Sequence, residues 1–144
     1  MEVVINVCFG GFGISPKALK KLIDMKSDAI EIMPIHKYSS SKTFEDMKSK
    51  YSFGDRYVEY EDGFIWDGHI VTFYKDEMVY SLKDKYKCKS RAHPDLIKVV
   101  KELGKEANGQ CAKLKIVEIP DGINWIIDEY DGTESIQEDH RSWC

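Results

Sequence analysis

The sequence has no run of about 20 apolar residues, the length that a membrane-spanning helix requires, and it opens on a strand-like segment instead of a leader peptide. An excess of positive charge is also missing, because 21 basic residues face 25 acidic ones and the formal net charge is -4. These absences predict a cytoplasmic protein without a membrane partner. They also argue against nucleic acid as a partner, since its binding requires a basic surface.

Closely spaced cysteine pairs are missing as well. Cys8, Cys88, Cys111 and Cys144 lie far apart in the chain, and none of them forms the CxxC pattern of a zinc or redox site. We therefore expect free thiols in a reducing compartment, and we predict no metal and no cofactor.

The composition that is present is that of one folded domain. The chain has 144 residues, of which 42% are hydrophobic and 32% charged, enough to bury a core without disulfides. We predict a single α+β domain over residues 1–144, with a mixed or antiparallel sheet, two to three helices and an inserted β-meander at 57–82. The predicted strands are 3–8, 29–35, 57–60, 64–66, 69–74, 78–82, 112–119 and 123–130, and the predicted helices are 16–26, 94–103 and a short one starting at Ser135.

Two regions are predicted from turn and capping signals. The Pro120-Asp121-Gly122 turn predicts an antiparallel hairpin between the last two strands, and the Ser135-to-Glu138 spacing matches a capping box. Residues 37–52 are polar and serine-rich, which indicates a loop containing a short helix near 44–48.

A glycine-rich segment, Phe9-Gly10-Gly11-Phe12-Gly13, joins the first strand to a helix that begins at Ser15-Pro16. It lacks the ending of a P-loop and the spacing of a dinucleotide fingerprint. Glycines nevertheless allow a ligand to approach the backbone, and a helix N-terminus attracts phosphate. Phe9 and Phe12 would then stack on a ring, with Asn6 and Cys8 beneath the turn. The alternative is that the glycines only form the turn and the phenylalanines fill the core.

A second candidate group precedes the helix at 94–103. Arg91 has the geometry to clamp a phosphate with two hydrogen bonds, and His93 is the residue type for acid–base chemistry near neutral pH. The alternative is that His93 and Asp95 cap the helix and Arg91 is solvated.

The end of the chain is acidic. Carboxylates there accompany Tyr130, His140 and Arg141, a mixture that can hold a divalent metal. No fixed ligand spacing is present, so the sequence favours a solvated face in which Arg141 neutralises a neighbour.

Several blocks together resemble a family of small bacteriophage and prophage proteins that carries no assigned activity. The blocks are Asn6-x-Cys8-Phe9-Gly10-Gly11-Phe12-Gly13-Ile14-Ser15, His93-Pro94-Asp95-Leu96-Ile97, Glu118-Ile119-Pro120-Asp121, Trp125, Glu129-Tyr130-Asp131-Gly132 and His140-Arg141-x-Trp143. The resemblance covers residues 1–25 and 91–144, and it implies a context in a bacterial host cell.

In that context we expect a small-molecule-binding protein that sequesters a nucleotide-type signal of host defence. The glycine segment and Arg91 would hold phosphates, and Phe9, Phe12 or Trp143 would stack on a base. Sequestering proteins often place sites between subunits, so the sequence leaves a homo-oligomer open. The alternatives are an inhibitor of a host protein, acting through an exposed aromatic patch of the meander, and a phosphoester or glycosidic hydrolase that uses His93 or His140. The expected ligand-binding residues are Asn6, Cys8, Phe9, Gly10, Gly11, Phe12, Gly13, Arg91, His93, Tyr130, His140, Arg141 and Trp143.

Overall fold

The structure, a computed structural model, describes residues 1–9, 11–35, 57–67, 71–83, 88–110 and 112–138. Its strands are β1 (Glu2–Asn6), β2 (Ile30–Pro34), β3 (Tyr57–Tyr60), β4 (Gly63–Trp66), β5 (Thr72–Lys75), β6 (Met78–Leu82), β7 (Leu114–Glu118), β8 (Trp125–Tyr130) and β9 (Thr133–Glu138). Its helices are α1 (Pro16–Asp24), α2 (Cys88–Arg91), α3 (Pro94–Leu103) and a 3-10 helix (Gly104–Ala107). This arrangement confirms the predicted α+β class. The loop and short helix predicted within 37–52 lie outside the described residues.

The strands form three antiparallel groups. β2, β6, β5, β4 and β3 make a five-stranded sheet in that order, β1 pairs with β7, and β8 pairs with β9. The five-stranded sheet contains the predicted meander. Its turns differ in detail from the prediction, because Gly63 already belongs to β4 and pairs with Tyr60 across a Glu61-Asp62 turn.

The hairpin predicted around Pro120-Asp121-Gly122 is wrong. β7 instead pairs with β1 along its whole length, from Glu2 opposite Glu118 to Asn6 opposite Leu114. β8 pairs with β9, so the two strands of the predicted hairpin belong to different groups. The connection at 120–122 therefore carries the chain to a separate hairpin.

The predicted terminal helix is also wrong, because Ser135 and Glu138 lie in β9. The Asp131-Gly132 turn decides this, with φ angles of 53° and 88° that suit a two-residue type I′ hairpin. Tyr130 and Thr133 face each other across this turn. A tight hairpin turn and a long-range partner for Glu134 thus override the local capping pattern.

Both faces of the five-stranded sheet carry apolar side chains. On one face, Ile65 and Phe73 pack with Leu19 and Leu22 of α1 and with Leu96 of α3. On the other face, Phe64, Tyr74 and Val79 form a second buried cluster with Ile35. A third cluster joins β1 to the β8–β9 hairpin through Val3, Ile5, Ile119 and Trp125.

The helix starts follow the sequence signals. The Ser15 hydroxyl accepts the N–H of Ala18 at the start of α1, and Pro16 occupies the first turn. His93 is the N-cap of α3. Arg91, which precedes the helix at 94–103, belongs to the short helix α2. Among the described residues, no helix has the length and apolar character needed to cross a membrane.

Candidate functional site

The glycine-rich segment is fastened to two other parts of the backbone. Gly109 donates its N–H to the carbonyl of Gly13, and a Cβ on Gly109 would lie 2.6 Å from the Gly13 carbonyl carbon. A Cβ on Gly132 would collide with the carbonyl oxygen of Phe9 and would lie 2.8 Å from the nitrogen of Gly11. Glycine is therefore required where the segment meets its neighbours, and within the segment the φ of 85° at Gly11 favours it.

Asn6 holds this segment against the β8–β9 turn. Its side-chain amide donates to the carbonyls of Cys8 and Gly132, at 2.7 and 2.8 Å. Its carbonyl oxygen accepts the backbone N–H groups of Cys8 and Lys113. Asn6 is fully buried, so these bonds tie three chain segments together inside the protein.

Arg91 lies in the interior, beneath the same segment. Its guanidinium forms a bidentate pair with Glu134, at 2.7 and 2.8 Å, and lies 3.5 Å from the centre of the Phe12 ring. Glu134 also accepts the backbone N–H of Asn6 at 2.8 Å. We call Asn6, Arg91 and Glu134, with the Phe12 ring, the buried polar cluster.

This arrangement changes what Arg91 can do. The side chain is only 1% exposed, and Glu134 already occupies the fork of nitrogens that a phosphate would use. The expectation of a solvated or phosphate-clamping Arg91 is therefore corrected: here the guanidinium joins α2 to β9. Phe12 is likewise buried, at 7% exposure, so its ring packs on Arg91 rather than facing a ligand.

The start of α1 is also occupied. Ser15 caps the first turn, and its hydroxyl donates to the Glu106 carbonyl. An anion would therefore compete with an existing cap at this N-terminus. Gly11 differs, because a Cβ on it would meet nothing within 4 Å, so the space beside this glycine is open.

Two predicted aromatic residues are strongly exposed. Phe9 is 71% and Tyr130 82% accessible. Phe9 directly follows Cys8, which Asn6 holds, and its carbonyl lies against Gly132. Tyr130 flanks the same turn. We call Phe9 and Gly11, together with Tyr130 and the Asp131-Gly132 turn, the tip.

His93 contributes to structure through both ring nitrogens. Nδ1 accepts the backbone N–H of Asp95 at 3.1 Å, so Nε2 carries the proton and donates to Asp28 at 2.6 Å. The hydrogen bond from His93 lowers the pKa of the Asp28 carboxyl. The helix-capping alternative for His93 is confirmed.

This histidine belongs to a group of three potential metal ligands. Asp28, His93 and Asp95 have ligand atoms within 4.8 Å of one another. A metal on Nε2 of a neutral imidazole would require the proton to move to Nδ1, where the N–H of Asp95 now points. Asp95 also accepts the hydroxyl of Ser27 at 2.6 Å. The donor set therefore opposes metal binding unless the helix cap is lost.

The remaining predicted residues divide into two groups. Cys8, directly before the glycine-rich segment, is a half-buried free thiol. Gly10, His140, Arg141 and Trp143 lie outside the described residues. The role of Trp143 in stacking on a base therefore stays a prediction.

The aromatic patch expected on the meander is largely internal. Phe64 is 4% exposed and Tyr74 is fully buried, with their rings stacked at 4.9 Å. Tyr57, Tyr60 and Trp66 are half-buried. The meander therefore does not present these rings as one exposed surface.

Glu134 and Gly132 were missed as parts of this region. Glu134 was grouped with the solvated acids, although it has a buried cation as partner. The Asp131-Gly132 dipeptide was the available signal, because it predicts a hairpin that would bring β9 back along β8. No known family model, curated protein or solved structure matches this chain, so its geometry carries the functional argument.

Proposed function

We propose that this protein acts by binding a partner through the tip. The observation that carries the proposal is the pair of exposed aromatic side chains, Phe9 and Tyr130, on a backbone tied down by Asn6 and the Arg91–Glu134 pair. Exposed aromatic residues on a held scaffold supply contact area at a low entropic cost. Such residues are typical anchors of protein interfaces.

A protein partner fits the charges better than a nucleotide does. Asp128, Glu129 and Asp131 are exposed on or beside the tip, and they repel phosphate. Arg91, the cation expected to hold phosphate, is buried against Glu134. This favours the role of a protein-directed inhibitor, with the tip in place of the meander as contact surface. The resemblance to phage proteins makes a bacterial host factor in the cytoplasm the expected partner.

The test is capture from bacterial lysate with matched variants. We expect the native protein to retain a protein that the Phe9→Ser/Tyr130→Ser variant does not retain. The control is Ile32→Thr/Val58→Thr. It removes two other exposed apolar side chains, 54% and 44% accessible, which belong to β2 and β3 of the five-stranded sheet and not to the tip. Equal retention by the native protein and the tip variant would contradict the proposal.

Sequestration of a nucleotide-type defence signal is the second candidate. The open space beside Gly11 favours it, since a ring stacked on Phe9 would meet bare backbone there. Isothermal titration against cyclic and ADP-ribose-type nucleotides should then show at least one ligand that binds more tightly than about 1 mM, or about 4 kcal/mol. Binding that survives Phe9→Ser would place the site elsewhere, and no binding would remove this candidate.

A further inference from the structure

Negative charge is concentrated on the β8–β9 hairpin. Residues 125–138 contain five acidic residues and no lysine or arginine. Of these, Glu134 is neutralised by Arg91, while Asp128, Glu129, Asp131 and Glu138 are exposed. The hairpin therefore presents four carboxylates with no basic residue of its own.

The register places an exposed ring among these carboxylates. Tyr130 faces Thr133, and Asp128 faces Ser135, on the same side of the hairpin. The Asp131 side chain follows directly, in the turn, with φ 53°. Within residues 125–138 the balance of charge is therefore negative.

We propose that the tip binds a lysine- or arginine-rich segment of a partner protein, an inference that rests on the binding function proposed above. Carboxylates pair with ammonium and guanidinium groups, and the face of a tyrosine ring attracts the same cations. Tyr130 and Asp128 offer both kinds of contact on one hairpin face. A phosphate-bearing ligand would meet repulsion from the same groups.

The experiment is an NMR titration of the full chain with a peptide of alternating arginine and glycine. The control peptide has glutamine in place of each arginine. With the arginine peptide, we expect the largest changes in amide chemical shift at residues 9, 11 and 128–133. With the glutamine peptide, we expect no such changes. Attraction between exposed charges extends over roughly 10 Å at 0.1 M salt and over shorter distances at higher salt. Added salt should therefore weaken binding.

Two charge-matched variants separate local recognition from net charge. Asp128→Asn/Glu129→Gln/Asp131→Asn removes three charges at the tip, and Glu61→Gln/Asp76→Asn/Glu77→Gln removes three exposed charges from the meander turns. We expect the tip variant to bind about tenfold more weakly, the effect of three exposed ion pairs. The meander variant should bind like the native protein.

The other outcomes overturn the inference in distinguishable ways. An equal loss in both charge variants would show attraction to net charge, and shifts away from residues 9, 11 and 128–133 would place the contact elsewhere. Unchanged binding by the tip charge variant, with loss in Phe9→Ser/Tyr130→Ser, would overturn cation recognition and leave the proposed binding function standing. If neither peptide changes the chemical shifts while lysate capture still depends on Phe9 and Tyr130, cation recognition is likewise overturned and the proposed binding function stands. Failure of the lysate capture itself is what removes the proposed function.

Discussion

The buried polar cluster and the five-stranded sheet hold their parts of the molecule in different ways. The cluster depends on a few directional bonds, with Arg91 and Glu134 paired inside the protein. The sheet depends on many apolar contacts spread over two faces, such as those of Phe73 and Val79. Removing one partner of the cluster therefore leaves a buried charge unpaired. Removing one methylene from the sheet loses only a small part of its many contacts.

The largest effect is expected from Glu134→Ala, which leaves the Arg91 guanidinium buried without its carboxylate. Breaking one partner of a buried ion pair costs about 3–5 kcal/mol, and urea unfolding followed by circular dichroism measures it. The double variant Arg91→Met/Glu134→Leu should recover part of this loss, because no charge is left buried, although the Asn6 N–H loses its acceptor. A double variant as unstable as the single one would show that packing and the Asn6 hydrogen bond, and not charge pairing, dominate the cluster.

A smaller effect is expected from Gly132→Ala, and it probes the contact between the hairpin turn and Phe9. The added methyl collides with the Phe9 carbonyl, while Gly122→Ala, at a similar φ of 82°, meets nothing within 4 Å. We expect about 1 kcal/mol from the backbone alone in Gly122→Ala, and about 1–3 kcal/mol more in Gly132→Ala. Equal unfolding midpoints for the two variants would mean that this contact does not constrain the tip.

Ile65→Val tests the tolerance of the sheet. Ile65 is fully buried, and losing one methylene from a core typically costs about 0.5–1.5 kcal/mol. Chemical denaturation should show a lower midpoint with an unchanged slope. A loss as large as that of Glu134→Ala would erase the distinction between the two regions.

The smallest effect is expected at the exposed Asp28–His93 contact, which lies outside both regions. His93→Gln should raise the pKa of Asp28 toward its ordinary value, because the hydrogen bond from His93 is the main cause of its depression. A depressed pKa in the folded state stabilises the protein above the unfolded pKa, and this contribution is lost as pH falls through the folded value. Carbon-13 titration of the carboxyl groups measures the shift.

Glu102 provides the control for that titration. Its pKa is lowered by a hydrogen bond from Lys21, so His93→Gln should leave it unchanged. A similar rise at both carboxyls would indicate a general structural change instead of the loss of one contact.

Local signals in the sequence were sufficient for several elements. Ser15-Pro16 and His93-Pro94 marked the two main helix starts, because capping and proline geometry act within a few residues. Aromatic and β-branched residues between turn residues marked the meander at 57–82, which is also a local signal. The sequence also singled out Phe9 and Tyr130, although it did not show which aromatic residues would be exposed.

Only the tertiary structure decided how the chain's ends combine. The pairing of β7 with β1, and of Arg91 with Glu134, joins residues more than 40 positions apart, and no local pattern specifies such partners. Arg91 was expected to bind a ligand, but its pairing with a buried carboxylate makes it a structural residue that joins α2 to β9. By itself the sequence determined an α+β domain with a glycine-rich junction. Long-range burial decided which side chains remain on the surface.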